Sequence, residues 1–84
     1  MSDVLANFEA IEGTVNSEET LALKFTSRKI VITNDDPTND LSYKFGAGEA
    51  FGALKGTESL SLYFTTKQII INGSSIPYRI WVFG

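Results

Sequence analysis

Residues 57–72 read Thr-Glu-Ser-Leu-Ser-Leu-Tyr-Phe-Thr-Thr-Lys-Gln-Ile-Ile-Ile-Asn. Leu60, Leu62 and Phe64 alternate with Ser61 and Tyr63, the two-residue period of a strand with one face on a core. After the polar break Thr65–Gln68 come Ile69, Ile70 and Ile71. Their branched β-carbons restrict χ1 and pack well on a pleated surface, so strand is favoured over helix. The same pattern stands earlier, at residues 18–33. The offset is 39, and seven of sixteen positions are identical: Glu19/Glu58, Leu21/Leu60, Leu23/Leu62, Phe25/Phe64, Thr26/Thr65, Ile30/Ile69 and Ile32/Ile71. This internal repeat decides the fold class.

Further matches extend the repeat in both directions. Phe8–Thr14 matches Phe51–Thr57 at an offset of 43, so the first copy carries four extra residues around Val15–Glu18. Length differences of this kind are tolerated in turns. Gly13 and Gly56 are expected at equivalent turns, with positive φ. Asn34–Asp40 is a turn by composition, since Pro37 fixes φ and Asn/Asp side chains bond nearby backbone amides. Leu41–Phe45 alternates again, and sliding by one residue aligns Tyr43 with Trp81, Phe45 with Phe83 and Gly46 with Gly84.

Each copy therefore reads as a short strand, a main strand, an Ile-rich strand and an aromatic strand. Six to eight short strands with no helical period predict an all-β chain. The expectation is one domain over 1–84, a small antiparallel β-sandwich or closed barrel built from two tandem repeats, 8–46 and 51–84, with an approximate two-fold. Leu21, Leu23, Phe25, Ile30, Ile32 and their counterparts Leu60, Leu62, Phe64, Ile69 and Ile71 are the expected core. Residues 1–7 read as an extended or flexible arm.

Composition narrows the chemistry. The 84 residues include no cysteine and no histidine. Disulfides, thiolate metal sites, the usual neutral-pH acid–base group and the commonest zinc ligand are thereby removed. No Ser-His-Asp or Cys-His arrangement can be built, so a non-enzymatic protein without a cofactor is expected. Asp35, Asp36, Asn39 and Asp40 read as a solvated, capped turn, with a calcium site as the competing reading. The glycines of 46–52 lack the lysine and helix of a phosphate loop. The net charge of −3 argues against nucleic acid, although Lys67, Arg79, Tyr63, Tyr78 and Trp81 would be the residues to use. No apolar run approaches a membrane span, and residues 1–11 lack the pattern of a signal peptide. Charge is uneven: residues 1–42 hold eight acids and three bases, residues 43–84 two acids and four bases. Two readings follow, a solvated surface or head-to-tail contact between an acidic and a basic half of neighbouring subunits.

The two copies differ in one direction. Lys24 gives way to Tyr63, Val31 to Ile70, Leu41 to Arg79, Ser42 to Ile80 and Lys44 to Val82. Tyr78–Phe83 carries large apolar residues on both faces, Trp81 and Phe83 on one, Tyr78, Ile80 and Val82 on the other. That strand is central and doubly covered, at a subunit interface, or lining a ligand groove. Tyr63, Ile70, Tyr78, Arg79, Ile80 and Trp81 are the candidate interface residues, Tyr, Trp and Arg being frequent interface anchors.

The segments Ile-Val-Ile-Thr-Asn-Asp (30–35), Leu-Ser-Tyr-Lys-Phe (41–45) and Thr-Lys-Gln-Ile-Ile-Ile-Asn-Gly-Ser-Ser-Ile-Pro-Tyr-Arg-Ile-Trp-Val-Phe-Gly (66–84) resemble small β-structured virion proteins of tailed bacteriophages and prophages. The resemblance implies a head, neck, tail or decoration component, a homo-oligomer bound to other virion proteins and synthesised in the host cytoplasm. It fixes no reactive group. A carbohydrate- or host-surface-binding β module around Tyr63, Tyr78 and Trp81 is the alternative expectation.

Overall fold

The computed structural model describes residues 7–84; of the expected arm, residues 1–6 lie outside the described part. Eight strands follow in order: β1 (Phe8–Val15), β2 (Glu19–Ala22), β3 (Lys29–Asn34), β4 (Leu41–Lys44), β5 (Gly52–Leu54), β6 (Ser59–Leu62), β7 (Gln68–Asn72) and β8 (Ile76–Phe83). They form two four-stranded sheets, sheet A in the order β1-β8-β3-β6 and sheet B in the order β2-β7-β4-β5. Every pairing is antiparallel. The sheets are open, so of the two expected architectures the closed barrel is set aside.

The core is the alternate residues of both sheets. Ile30, Ile32, Ile80 and Val82 line the inside of sheet A, and Leu41, Ile69 and Ile71 that of sheet B; all seven are fully buried. Leu23 is buried with them, and Leu21, Phe25, Leu60 and Leu62 pack against the cluster from its margin. Phe64 departs from the expected core. It follows β6 on a corner, stays 38% exposed and lies against Phe45 with ring centroids 4.7 Å apart.

Chain connections explain the corners. Of the seven links between successive strands, only β4–β5 stays within one sheet. The crossings after β2 and after β6 meet each other. Ser27 N–H donates to the Thr66 carbonyl (2.9 Å), Thr66 N–H donates to Ser27 Oγ (3.0 Å), and that hydroxyl donates to the Phe64 carbonyl (2.6 Å). Ser27 is fully buried with its polar atoms satisfied.

At the opposite end Asn34 performs the same service with more partners. Its Nδ2 group donates to the carbonyls of Asn39 (2.8 Å), Leu54 (3.0 Å) and Lys55 (3.1 Å), and its Oδ1 accepts from Asp36 N–H (2.9 Å). One buried amide thus ties the β3–β4 turn to the exit of β5.

The glycine expectation is corrected. Gly13 lies in mid-strand, opposite Tyr78, where an added Cβ would stand 3.3 Å from the phenol oxygen. Gly56 does lie in a turn, but the positive φ belongs to its neighbour Thr57 (66°). Gly56 is needed for close approach, since a Cβ there would sit 2.5 Å from the Pro37 carbonyl oxygen.

The alignment of the aromatic strands is also shifted by one. Trp81 stands opposite Val31, on the outside of sheet A, and Lys44 stands opposite Ile70, on the outside of sheet B. Tyr43 instead packs inward against the core. Because side chains alternate with period two, a one-residue slide exchanges the faces. Trp81 therefore corresponds in position to Lys44.

Candidate association surface

The outer face of sheet A is laid down in rows across four strands. One row runs Phe8, Phe83, Lys29 and, just past β6, Tyr63; the next runs Ala10, Trp81, Val31 and Ser61. At about 4.8 Å between strands each row is roughly 15 Å across. Phe8 is 58% and Tyr63 81% exposed, and Trp81, Phe83 and Val31 are half-buried. The rings of Phe8 and Phe83 have centroids 5.2 Å apart. Lys29 Nζ hangs 5.5 Å from the centre of Tyr63 and 5.9 Å from that of Phe83. The Arg79 guanidinium lies 5.3 Å from the centre of Trp81. Cations over aromatic faces keep such a surface hydrated at its edge and apolar at its centre.

Arg79 is fixed as well as exposed. Its Nε and Nη2 donate to the two carboxylate oxygens of Asp35, at 2.8 and 2.9 Å. This two-pronged bond is the largest reason that the guanidinium is held more firmly protonated than usual.

Of the six candidate residues, Tyr63, Arg79 and Trp81 lie together on this face. Ile80 and Tyr78 point the other way, into the core, where burial raises the Tyr78 phenol, helped by the charge of Glu19. Ile70 is on the outside of sheet B and yet only 3% exposed. Its ladder neighbours Thr20 and Lys44 flank it, and Lys44 reaches across to the Phe51 ring at 4.3 Å. Ile70, Tyr78 and Ile80 are thus shielded by their own domain and offer no area to a partner. Phe8, Lys29 and Val31 belong to the surface and were missed. Phe8 reads from sequence as half of the Phe8/Phe51 match, and only the β1–β8 register brings it beside Phe83.

The carboxylates of the 35–40 turn are directed apart. Asp35 holds Arg79, and Asp40 lies 3.3 Å from Lys55. Asp36 accepts from the backbone amides of Asn39 (2.6 Å) and Thr38 (3.0 Å), which hold its carboxyl below the usual range. That is the capped turn rather than the calcium cluster. Among the described residues no group of three or more acidic side chains is placed to hold a metal ion.

No protein-family model, curated protein or solved structure matches this chain.

Proposed function

We propose that the chain is a non-enzymatic structural protein that self-associates and docks on the virion of a tailed bacteriophage, with the outer face of sheet A as its association surface. The observation that carries this reading is the contrast in apolar area. Sheet A turns Phe8, Trp81, Phe83, Val31 and Tyr63 outward, whereas sheet B turns out Thr20, Gln68, Asn72, Ser42 and Lys44 around the shielded Ile70, with Phe51 at its edge as its one exposed ring among the described residues. Contiguous exposed aromatics at the centre of a rigid face are what interface cores are made of. The particle and the host cytoplasm as its site of synthesis come from the sequence resemblance alone.

The architecture fits a duplicated unit. If β1 to β4 are exchanged with β5 to β8, the order β1-β8-β3-β6 becomes β5-β4-β7-β2, which is sheet B read from its other edge. Registers differ by two residues: Leu21 stands opposite Ile69, but its counterpart Leu60 stands opposite Ile32 rather than Ile30. A slip of two preserves the inward faces. Duplication supplies two similar inner faces and frees one outer face to change.

The test is molar mass by light scattering over a tenfold concentration range. An oligomer that survives dilution, and is lost in Trp81→Ser with the fold intact, supports the reading; a 9.2 kDa monomer throughout rejects it. A second reading, a carbohydrate- or host-surface-binding module, is favoured by Trp81, Phe83 and Tyr63 lying on one flat face, where sugar rings could stack. A monomer whose Trp81 fluorescence shifts with soluble glycans would select it.

A further inference from the structure

The ends of the sandwich carry opposite charge. Strand direction and register place the loops 16–18, 35–40, 55–58 and 73–75 at one end. The segments 23–28, 45–51 and 63–67, with the start of β1 and the end of β8, lie at the other. The first end holds Glu18, Glu19, Asp35, Asp36, Asp40 and Glu58 against two cations among the described residues, Lys55 and the Arg79 guanidinium that holds Asp35. The second holds Lys24, Arg28, Lys29, Lys44 and Lys67 against Glu9 and Glu49. Both of those carboxylates already accept a backbone amide, Glu9 from Lys24 and Glu49 from Phe45. Glu12 falls between the ends.

A second property coincides with the cationic end. The four exposed large hydrophobic side chains of the described residues, Phe8, Phe51, Tyr63 and Phe64, are all there. Lys44 and Lys29 lie over two of these rings. The eight-residue strands β1 and β8 run roughly 26 Å from one end to the other, about three Debye lengths at physiological salt, so the two ends act as separate poles. Sorting charge by half of the sequence misses this, because each sheet takes two strands from each half.

We infer that copies of this chain stack end to end, the cationic aromatic end of one on the acidic end of the next. This inference rests on the self-association proposed above and adds a second contact to it. The partner is a second copy because the complementary charge is present on the same molecule. Such a contact joins unlike surfaces, so it repeats into a column or closes into a ring. It leaves Trp81 and Val31 on the outer face of sheet A along the side of the stack, open to the contact proposed above.

The experiment uses the full chain and two charge-reversed variants at exposed positions, Lys24→Glu with Lys67→Glu, and Glu18→Lys with Glu19→Lys and Asp40→Lys. Circular dichroism checks that each is folded. Molar mass is measured at low ionic strength and again at ~0.5 M salt, where screening is nearly complete beyond contact. The native chain should form stacks at low salt that fall at high salt to the smaller mass held by the face of sheet A. Each variant alone, now with like charge at both ends, should keep that smaller mass at low salt, and mixing the two in equal amounts should restore the larger one. If both variants keep the native mass, or mixing restores nothing, end-to-end stacking is wrong. If the oligomer survives both reversals but disappears in Trp81→Ser, association occurs through the sheet face and only the stacking fails. A native chain that is monomeric in every buffer overturns both.

Discussion

Sheet A and sheet B have interchangeable interiors and unlike exteriors. Inside, Ile30 and Ile32 on one sheet and Ile69 and Ile71 on the other are all fully buried. Outside, Val31 lies beside Trp81 on the first, while Ile70 lies beside Lys44 on the second. The central β-branched residue is retained, and its neighbour decides whether the face is apolar or solvated. A buried row is constrained by packing against the opposite sheet, where one methylene matters. An outer row is constrained only by what it meets, so that is where an 84-residue sandwich can acquire a task.

The largest expected effects test the equivalence of the interiors. Ile32→Ala and Ile71→Ala should each cost about 3–4 kcal/mol, transfer plus cavity, in urea unfolding. A difference of more than ~2 kcal/mol between them would mean that one sheet carries the core.

Next comes a residue that only one half possesses. Asn34→Ala should cost about 2–3 kcal/mol in the same assay, because three carbonyls and the Asp36 amide lose their partner in a buried site. The matching position at an offset of 39 is Gly73, where a Cβ would meet Ile76 Cγ1 at 2.6 Å. The two turns are thus built on different devices, and a neutral Asn34→Ala would remove that distinction.

On the exteriors, Trp81→Ser should lower stability by only about 1–2 kcal/mol, since the ring is half-buried, while removing self-association seen by light scattering. A loss of 4 kcal/mol or more, on the order of a fully buried ring, would place Trp81 in the core account instead.

Smaller still is the effect of two left-handed residues. Thr57 (φ 66°) and Ser75 (φ 56°) occupy a region that glycine enters freely. Thr57→Gly should raise the melting temperature, by up to about 1 kcal/mol in stability, and Ser75→Gly by less because serine is not β-branched.

The smallest is a pH slope. Asp36 is held below the usual carboxylate range by the Asn39 and Thr38 amides, so its contribution is present above the unfolded pKa. It is lost as pH falls through the lower folded value. In a thermal series from pH 6 downward, the native chain should lose stability more steeply below pH ~4 than Asp36→Asn does.

Much of this was legible in the residues. The alternation of Leu60, Leu62 and Phe64 and the repeat at 18–33 lead to strands and inward faces, because period and face are local properties. Whether two sheets close into a barrel depends on contacts between distant edges, which no alternation records. The one-residue slide of Tyr43 onto Trp81 looked natural because both are aromatic, and only the ladder shows them on opposite faces. Ile70 was read as a gain in outward apolar area, but its shield is made by Thr20 and Lys44 from strands 50 and 26 positions away. Asn34 was visible only as a turn residue, since its carbonyl partners Leu54 and Lys55 come from the other half of the chain. The polarity between ends was hidden for a similar reason: consecutive strands run in opposite directions, so charges distant in sequence collect at one pole.

The most direct test of unlike exteriors is an amide chemical-shift titration with protein concentration, at constant salt. The account predicts that Val31, Trp81 and Phe83 shift or broaden as concentration rises while Ser42 and Ile70, in the middle of sheet B, hold still. Equal response on both faces, or a response confined to sheet B, would contradict it.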